Sequence, residues 1–235
     1  LLDLKYNVGF AFDGDGDRLG VIDDKGRIIS GDKLLLLLAK EMLKSKKCKV
    51  IADVKCSQVL FEEVERLGGK IFMSKTGHSH IKNNLKKLNA DLAGEMSGHI
   101  FFAEDYYGFD DAFFAAVKVL EILNNNDKKL SDLVDEIPRV FNTPEIRIDC
   151  DDNKKFDIIN KITQIQKKRK KKLTNIDGVR VAEKDGWWLL RASNTQPALV
   201  LRCESLTEDG LEFQKTLVKN ELSKFNIDIF EKIIS

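Results

Sequence analysis

Three aspartates two residues apart lie near the start of the chain, in the run DGDGDR that spans residues 13–18. Because aspartate side chains are short, they can reach one ion together only if the backbone coils around it, and the intervening glycines permit that coil. Carboxylate oxygens are the ligands that hard divalent cations prefer. The spacing therefore predicts a divalent-cation site formed by Asp13, Asp15 and Asp17.

Two other interpretations of this acidic loop are weaker. An EF-hand loop needs glycine at its sixth position and glutamate at its twelfth, where this chain has Arg18 and Asp24. A solvated acidic turn usually lacks an apolar strand before it, whereas residues 8–12 and 19–22 have the apolar pattern of strands that enter and leave the loop. The loop is therefore predicted to connect two strands.

Polar runs follow two further predicted strands, at residues 53–57 (DVKCS) and 75–79 (KTGHS). The carboxyl ends of parallel strands are where α/β sheets form ligand crevices, so Lys55 and His78 are candidates for binding an anion or transferring a proton. A single lysine or histidine is usually a solvated surface group. Two such runs at consecutive strand ends favour a binding site.

Two glycines flank a carboxylate, a hydroxyl and an imidazole in the run GEMSGH, residues 94–99. Glutamate accepts hydrogen bonds from hydroxyl groups, whereas serine and histidine can donate or accept, so Glu95, Ser97 and His99 suit a polyol. A strained turn with a satisfied glutamate is an equally good interpretation of this run taken alone.

The run RASNTQP, residues 191–197, places an arginine at the end of a predicted strand and before a polar loop. Arg191 offers a fork of N–H donors to a phosphate, and Ser193, Asn194 and Thr195 add neutral donors. In the alternative interpretation, Arg191 pairs with a carboxylate and the short polar side chains only cap a turn. Both interpretations remain open from the residues alone.

The elements that must position these residues follow a βαβ order in the first part of the chain, which predicts a parallel sheet. Strands are predicted at 8–12, 19–22, 28–29, 49–54, 70–73 and 91–93, and helices at 32–44, 57–67 and around 81–88. Phe113, Val117 and Leu120 predict a further amphipathic helix, with these three side chains in the core.

The composition changes after that helix, because residues 124–127 form a polar loop and Pro138 and Pro144 bracket a connection. We place a domain boundary near residue 138. Strands near 145–148, 179–182, 187–191 and 198–203, and helices near 154–168 and 210–224, predict a smaller second domain. The predicted fold class is α/β, a mixed βαβ sheet domain followed by a smaller α+β domain.

Composition and charge argue against several classes of protein. The chain has 235 residues, of which 43% are hydrophobic, and this is enough for the cores of one or two globular domains. A net charge of +1 argues against a general polyanion-binding surface, and no apolar run is long enough to span a membrane. Four widely spaced cysteines without a CxxC pair favour a reducing cytoplasm over a disulfide scaffold or a zinc site.

A basic run, QKKRKKK at residues 166–172, keeps a nucleic-acid-binding module open as a different class of function. No aromatic residues are interleaved with the run, and cations at the end of a helix suit the helix dipole. We therefore favour a solvated helix end and predict no nucleic-acid partner.

The acidic loop and the DVKCS, KTGHS, GEMSGH and RASNTQP runs, in this order and spacing, resemble the α-D-phosphohexomutase superfamily, and within it the bacterial phosphomannomutase/phosphoglucomutase group. The resemblance extends over essentially the whole chain. Four domains surround a cleft in that family, and they supply in turn a phosphoserine, the metal loop, the sugar loop and the phosphate loop. The resemblance implies that residues 1–26 end the second domain, 27–138 form the third, sugar-binding domain and 139–235 form the fourth, phosphate-binding domain.

The resemblance also implies roles in phosphoryl transfer. Asp13, Asp15 and Asp17 would bind Mg2+, and Arg18 beside them would help to hold the transferring phosphoryl group. Three further residues would line the cleft near the reacting oxygen, where one of them would accept its proton: Lys55, His78 and His99. The sequence does not choose among these three.

Roles in substrate binding are implied in the same way. Glu95 and Ser97 would bind sugar hydroxyls. Four residues of the RASNTQP run would clamp the phosphate that does not react: Arg191, Ser193, Asn194 and Thr195.

The implied activity is that of a phosphohexomutase, which interconverts hexose 1-phosphate and hexose 6-phosphate, of mannose or glucose, through a phosphoserine enzyme and hexose 1,6-bisphosphate. Met96 stands where phosphoglucosamine mutases tend to carry glutamine, and eukaryotic-type phosphoglucomutases have a different sugar loop. Both are therefore alternatives. A non-catalytic phosphosugar-binding fragment is another.

The phosphoserine segment of the family, of the type TASHNP, does not occur among the 235 residues. The acidic loop also follows directly after Phe12, and the first residue is not methionine. We therefore expect a C-terminal fragment that lacks the N-terminal domains of its own full-length chain. Such a fragment is expected to be inactive as a mutase by itself, with the three aspartates pointing apart.

Overall fold

The computed structural model describes residues 6–104 and 106–227 of the chain. The chain divides into two compact units, Leu1–Pro138 and Arg139–Ser235. The first five residues of the predicted 1–26 segment and the last eight of the predicted 139–235 domain lie outside the described residues. Among the described helices, none combines the length and the apolar character needed to cross a membrane.

A small antiparallel sheet in the first unit carries the acidic loop. Its strands are β1 (Val8–Phe12), β2 (Leu19–Asp23) and β3 (Ile28–Ile29), in that order across the sheet. β1 and β2 pair from Val8 opposite Asp23 to Phe12 opposite Leu19. The acidic loop is therefore the connection of a β-hairpin, as the apolar pattern predicts.

A second sheet in the first unit carries three of the other motif runs. Its strands are β4 (Lys49–Asp53), β5 (Lys70–Ser74), β6 (Leu92–Gly94) and β7 (Ile100–Phe102). The order is β5-β4-β6-β7, with β4 parallel to β5 and β6 and with β7 antiparallel to β6. The predicted parallel arrangement is confirmed, and the carboxyl ends of β4, β5 and β6 place the DVKCS, KTGHS and GEMSGH runs at one edge of the sheet.

Five helices belong to this unit, and the first four of them pack against strands of this sheet. They are α1 (Gly31–Ser45), α2 (Gln58–Arg66), α3 (His78–Leu88), α4 (Ala112–Asn124) and α5 (Leu130–Asp135). The central part of α1 is buried without interruption from Leu34 to Ala39, because α1 packs against other helices as well as against β2 and β6. The short helix α5 and the strand β7 were not predicted.

The prediction for the buried face of α4 was wrong. Phe113, Val117 and Leu120 are 61%, 50% and 47% exposed. The face of α4 that packs against α1, β2 and β7 carries smaller side chains, and its buried members are Ala112, Ala115, Ala116, Val119 and Ile122. Small residues let α4 approach its neighbours closely, so the larger apolar side chains lie on the outside.

The second unit is built on one antiparallel sheet. Its strands are β8 (Phe141–Asn142), β9 (Ile146–Asp149), β10 (Leu173–Thr174), β11 (Val179–Glu183), β12 (Gly186–Ala192) and β13 (Ala198–Ser205). Their order is β10-β11-β12-β13-β8, and β9 also pairs with β13. The RASNTQP run connects the long strands β12 and β13, which pair antiparallel.

Two helices bury one face of that sheet. They are α6 (Asp152–Lys168) and α7 (Glu208–Leu222), followed by a 3₁₀ turn at Ser223–Phe225. The core between helices and sheet includes Trp188, Ile162 and Leu199. The predicted fold class is confirmed: a mixed α/β sheet unit precedes a smaller α+β unit. The basic run at residues 166–172 starts in the last turn of α6.

Candidate functional site

The acidic loop is held in place by its own first aspartate. Asp13 Oδ1 accepts hydrogen bonds from the backbone N–H groups of Asp17 and Arg18, at 3.2 and 3.1 Å. Gly16 has a φ of +72°, in the left-handed region that favours glycine, and its N–H donates to the Asp13 carbonyl oxygen. Hydrogen bonds within the loop therefore help the backbone to coil around the carboxylates.

The three aspartates converge, and the expectation that they would point apart was wrong. Asp13, Asp15 and Asp17 each offer a carboxylate oxygen, and these atoms lie within 4.8 Å of one another. Hydrogen bonds within the loop and from the Ala112 N–H to the Gly16 carbonyl oxygen hold the backbone in this conformation. Asp17 Oδ1 is buried and accepts no hydrogen bond from any described residue. An oxygen donor set with a buried, unsatisfied carboxylate oxygen fits a hard divalent cation.

The electrostatics of the acidic loop also favour a cation. Burial raises the pKa of Asp17, the charge of His99 lowers it, and the charges of Asp15 and Asp13 raise it again, so that the pKa lies above its usual value. Burial acts upward on Asp13 as well, but the backbone hydrogen bond from Arg18 and the contacts with Asp17 bring its pKa below the usual value. A bound cation would relieve the mutual repulsion of these carboxylates.

Arg18 partly balances the acidic loop. Its Nε lies 3.2 Å from Asp13 Oδ2 and 3.7 Å from Asp17 Oδ1. The Arg18 side chain is 56% exposed, so solvent screens these ion pairs and the guanidinium is accessible to a ligand.

The GEMSGH run lies against the acidic loop. The Leu19 N–H donates to the Gly98 carbonyl oxygen at 3.1 Å, in a backbone bridge that aligns Arg18 with His99. His99 Nε2 lies 3.4 Å from Asp17 Oδ1. On the other side of the ring, Nδ1 lies 3.0 Å from both Glu95 Oε2 and Ser97 Oγ. His99 therefore connects the acidic loop to the two residues predicted to bind a sugar.

Charge and burial act in opposite directions on His99 and Glu95. Burial alone would lower the pKa of His99, but the hydrogen bond and charge of Glu95 and the charges of Asp17 and Asp110 raise it above its usual value. Burial would raise the pKa of Glu95, but hydrogen bonds from His99 and from the Gly77 N–H lower it. The Gly77 N–H donates to Glu95 Oε1 at 2.6 Å, which joins the KTGHS run to the same cluster.

The beginning of α1 packs closely against the backbone of the GEMSGH run. A Cβ added to Gly31 would come within 2.5 Å of the Glu95 carbonyl oxygen and 2.7 Å of that of Met96, so only glycine permits this approach. Asp32 accepts a hydrogen bond from the Ser57 N–H at 2.9 Å, which ties the DVKCS run to the same helix end. At these positions the sequence predicted only the start of a helix, at residue 32.

Lys55 lies just after the end of β4, as predicted, and His78 is the first residue of α3, which follows β5. Lys55 is buried, and its Nζ lies 3.9 Å from Asp53 Oδ2. Burial raises the pKa of Asp53, partly opposed by the charge of Lys55. His78 is exposed, and its ring centroid lies 6.4 Å from that of His99. The first unit therefore gathers the four motif runs that the sequence singled out in it.

Asp110 belongs to this cluster and was missed. Phe101 in β7 forms a backbone bridge with Asp110, which places the aspartate close to His99. The Asp110 side chain is only 6% exposed, with Oδ1 2.7 Å from Lys82 Nζ and with Oδ2 lacking a hydrogen bond among the described residues. Its sequence surroundings, FDD, contain no spacing that indicates a site. Only the unpredicted strand β7 reveals its position.

The second unit holds Arg191 in a different way. Two nitrogens of its guanidinium, Nε and Nη2, donate to the two carboxylate oxygens of Asp177, at 3.0 and 3.3 Å. The Arg191 side chain is 8% exposed. A carboxylate partner for Arg191 is what the capped-turn interpretation anticipates, although such a partner can also hold a guanidinium ready for a phosphate.

The loop after Arg191 is a closed turn with an exposed tip. Ser193 Oγ accepts hydrogen bonds from the N–H groups of Thr195 and Gln196, at 3.4 and 3.2 Å. Ser193 is buried, whereas Asn194 and Thr195 are exposed. Three of the four predicted phosphate ligands therefore lie in one turn, directly after Arg191 in β12, and the two at its tip are accessible.

Comparisons with known proteins agree with this arrangement. A phosphomannomutase/phosphoglucomutase of Pseudomonas putida is 44% identical over 217 residues, which cover 92% of this chain and 47% of that protein. A phosphoglucomutase of Neisseria gonorrhoeae is 42% identical over 208 residues, covering 87% of this chain and 45% of that protein. The chain thus spans about half the length of the curated relatives that it matches.

A solved structure extends the likeness to three dimensions. The crystal structure of a phosphoglucomutase/phosphomannomutase family protein from Burkholderia thailandensis has a TM-score of 0.85 and 40% identity, covering 92% of this chain and 46% of that one. Two family models also match. They are phosphoglucomutase/phosphomannomutase alpha/beta/alpha domain III, at residues 30–141, and the C-terminal domain of the same family, at residues 145–217. The chain therefore belongs to the phosphoglucomutase/phosphomannomutase family.

Proposed function

We propose that this chain provides the metal, sugar and phosphate sites of a phosphohexomutase, which interconverts the 1-phosphate and 6-phosphate of mannose or glucose through hexose 1,6-bisphosphate. The observation that carries the proposal is the convergence of the three loop aspartates beside His99 and Glu95 in one compact unit. The names of the relatives support the choice of reaction. In this proposal, residues 1–26 end a metal-binding second domain, 27–138 are the sugar-binding third domain and 139–235 the phosphate-binding fourth.

Asp13, Asp15 and Asp17 would hold Mg2+, which suits a set of carboxylate oxygens that includes an unsatisfied one. When bound, the ion supplies positive charge beside the oxygens of the transferring phosphoryl group. Arg18 contributes further positive charge at the same place, since its exposed guanidinium already lies against Asp13. The protein thus acts by positioning and by electrostatic stabilisation, which are the main needs of phosphoryl transfer.

Proton transfer is the second task of the site. As a sugar hydroxyl oxygen bonds to phosphorus and the bond from phosphorus to the serine oxygen breaks, the hydroxyl proton must pass to a base. Lys55, His78 and His99 are the candidates. His99 is held by Glu95 and Ser97, whereas His78 is exposed beside it and can rotate more freely.

Glu95 and Ser97 would bind the sugar hydroxyls. Both oxygens of Glu95 are already oriented, by the Gly77 N–H and by His99, so the carboxylate presents its remaining lone pairs in a fixed direction. Ser97 is exposed, and its hydroxyl can rotate to donate or to accept. A small set of contacts of this kind suits a sugar that must bind in two orientations.

Arg191, Ser193, Asn194 and Thr195 would clamp the phosphate that does not react. Asp177 would fix the plane of the Arg191 guanidinium, and the exposed tip at Asn194 and Thr195 would supply neutral donors. A clamp that recognises only phosphate accepts either phosphate of the bisphosphate, as a mutase requires.

Binding to glucose 1,6-bisphosphate tests the proposal directly. We expect calorimetry to detect binding that depends on Mg2+ and that weakens by about tenfold or more in Asp15→Asn, which loses a metal ligand. Asn194→Ala and Thr195→Ala should weaken it without affecting Mg2+ binding. Asp127→Asn removes an exposed carboxylate in a polar loop and serves as the matched control. Equal affinity in all four variants and the original chain would contradict the proposal.

Turnover should differ from binding. The 235 residues contain no segment of the phosphoserine type, so we expect no conversion of glucose 1-phosphate or mannose 1-phosphate by this chain alone, even with bisphosphate activator. Robust conversion would show that the nucleophile lies within these residues. Binding of glucosamine 1-phosphate in preference to both sugars would favour the phosphoglucosamine mutase alternative.

A reducing compartment, the cytoplasm, is part of the same proposal. All four cysteines are free and buried, and burial raises the pKa of the Cys203 thiol to about 12. Such thiols are poor nucleophiles. We expect a thiol-alkylating reagent to leave the mass of the native chain unchanged and to add four groups after unfolding.

A further inference from the structure

A second set of metal-ligand atoms adjoins the acidic loop, and it shares only Asp17 with the proposed Mg2+ site. Asp17, His99 and Asp110 each offer one ligand atom, and these three atoms lie within 4.8 Å of one another. Unlike the acidic loop, this set includes an imidazole nitrogen. It also draws on three separate segments of the first unit: the hairpin loop, the GEMSGH run and the residues just before α4.

The orientation of His99 leaves one nitrogen directed at this set. Nδ1 faces Glu95 Oε2 at 3.0 Å, so in the neutral ring the proton sits on Nδ1 and donates to the carboxylate. The lone pair of Nε2 then faces Asp17 Oδ1, at 3.4 Å. Histidines that ligate a metal usually donate their other ring N–H to a carboxylate, as His99 does to Glu95.

Two carboxylate oxygens at this place lack the partners that buried oxygens normally have. Asp110 Oδ2 and Asp17 Oδ1 are both buried, and neither accepts a hydrogen bond from a described residue. The side chain of Asp110 is more than nine-tenths buried, and Lys82 pairs only with its other oxygen. Buried, unsatisfied oxygens are uncommon and require an explanation, such as an ion.

We propose that Asp17, His99 and Asp110 form a second divalent-cation site, which takes a nitrogen-accepting ion of the Zn2+ class. Mg2+ demands oxygen ligands, whereas Zn2+ binds histidine and aspartate together, so the imidazole selects between them. Asp17 is common to both sites. The two ions therefore compete, and Zn2+ acts as an antagonist of Mg2+ at the acidic loop. The proposal concerns metal binding and stands whether or not the chain serves a mutase.

Two matched variants separate the sites. Asp110→Asn removes a ligand from the second site alone, and Asp15→Asn removes one from the acidic loop alone. In calorimetric titrations of the whole chain with each metal alone, Asp110→Asn should weaken Zn2+ binding by at least about tenfold and leave Mg2+ binding unchanged. Asp15→Asn should do the reverse. Added Mg2+ should weaken the binding of Zn2+ to the unmodified chain.

Co2+ provides a spectroscopic readout of the ligands. Bound in place of Zn2+, it should give visible absorption bands that Asp110→Asn abolishes, without the near-ultraviolet charge-transfer band that a thiolate ligand produces. A thiolate band would overturn the proposal, because it would place the ion on a cysteine. So would unchanged Zn2+ affinity in Asp110→Asn together with its loss in Asp15→Asn.

Lys82→Met provides a test that removes no ligand. Lys82 competes for Asp110, so its removal should strengthen Zn2+ binding several-fold, whereas a purely structural Lys82–Asp110 pair predicts no gain. Circular dichroism and urea unfolding establish that each variant is folded. Should Asp110→Asn fail to fold, the Lys82→Met titration decides, and no gain in affinity would overturn the proposal.

Discussion

The two units differ in how completely their charged side chains are paired. In the first unit, Arg18 is 56% exposed against Asp13, and carboxylate oxygens of Asp17 and Asp110 are buried with no hydrogen-bond donor among the described residues. In the second unit, Arg191 is 8% exposed and already held by both oxygens of Asp177. The first arrangement leaves carboxylate oxygens available to a cation, whereas in the second the guanidinium already has its counter-charge.

This difference predicts which unit is the more sensitive in ligand affinity and which is the more sensitive in stability. Carboxylates that repel one another in a preformed loop raise the free energy of the unbound state, so a cation gains from relieving them. A buried ion pair with good geometry instead makes the fold depend on both partners. Mutations should therefore affect ligand affinity most in the first unit and stability most in the second.

Removing one carboxylate from each unit should give the largest contrast. Asp177→Asn leaves the Arg191 guanidinium buried without its counter-charge and should lower the free energy of unfolding of the second unit by about 3 kcal/mol. Asp13→Asn breaks an exposed pair and reduces repulsion in the acidic loop, so it should change the free energy of unfolding far less. Urea unfolding measures both, and a larger loss at Asp13 would reverse the comparison.

Glycine substitutions should break each loop separately, with a smaller cost. Gly98 has a φ of +97°, and a Cβ there would lie 2.7 Å from the Leu19 carbonyl oxygen. Gly178 has a φ of +83°, and its Cβ would lie 2.4 Å from the Leu190 carbonyl oxygen. Each alanine variant should lose about 2 kcal/mol of stability. Gly98→Ala alone should also weaken Mg2+ binding, and loss of Mg2+ affinity in Gly178→Ala would contradict the separation of the units' roles.

Phe113 should affect the metal site through packing alone. Its exposed ring stacks on Phe12 at a centroid distance of 4.4 Å and lies against Gly16, while the neighbouring Ala112 N–H donates to the Gly16 carbonyl oxygen. Phe113→Ala should cost at most about 1 kcal/mol of stability. It should nevertheless weaken Mg2+ binding several-fold, since the acidic loop loses the ring that packs against Gly16. Val117→Ala, one turn further along α4 and similarly exposed, should leave Mg2+ affinity unchanged.

The smallest effects should come from ion pairs far from either site. Hydrogen bonds from Arg27 and Lys25 lower the pKa of Asp135 from 3.8 to about 2. Because this pKa is lower in the folded state, the pair stabilises the protein fully above pH 3.8 and loses its effect as the pH falls toward 2. Asp135→Asn should therefore flatten the acid end of the stability profile of the first unit, as followed by urea midpoints. An unchanged profile would show that solvent screens the pair completely.

Local patterns in the sequence predicted most of the elements. Apolar strands on both sides of the acidic loop identified the β1–β2 hairpin, and strand and helix patterns in alternation identified the parallel β4, β5 and β6. Tertiary packing decided the rest. β7 is only three residues long and follows directly on a polar run, so no periodicity marks it. The face of α4 was misjudged because close packing selects alanine there, whereas periodicity favours the larger apolar residues.

The site was predictable as far as its motifs extend. The motif residues lie at strand ends, in loops or, for His78, at the start of a helix, where spacing and residue type carry information about chemistry. Asp110, Gly31 and Phe113 lack such a signal, because their relation to the site arises from contacts between distant segments. Likewise, the sequence allowed Arg191 either a phosphate or a carboxylate as its partner, and only the fold brings Asp177 to it.

The backbone bridge between Leu19 and Gly98 has a mechanical consequence. It joins two separate sheets, the hairpin that carries the aspartates and the sheet whose β6–β7 connection carries His99, so Asp17 and His99 face one another where the two sheets meet. Small rotations of the hairpin would open or close the gap between Asp17 and His99 while leaving each sheet intact. A cation bound between Asp17 and His99 would hold the hairpin against the sheet. The amide proton of Leu19 would then exchange more slowly with solvent.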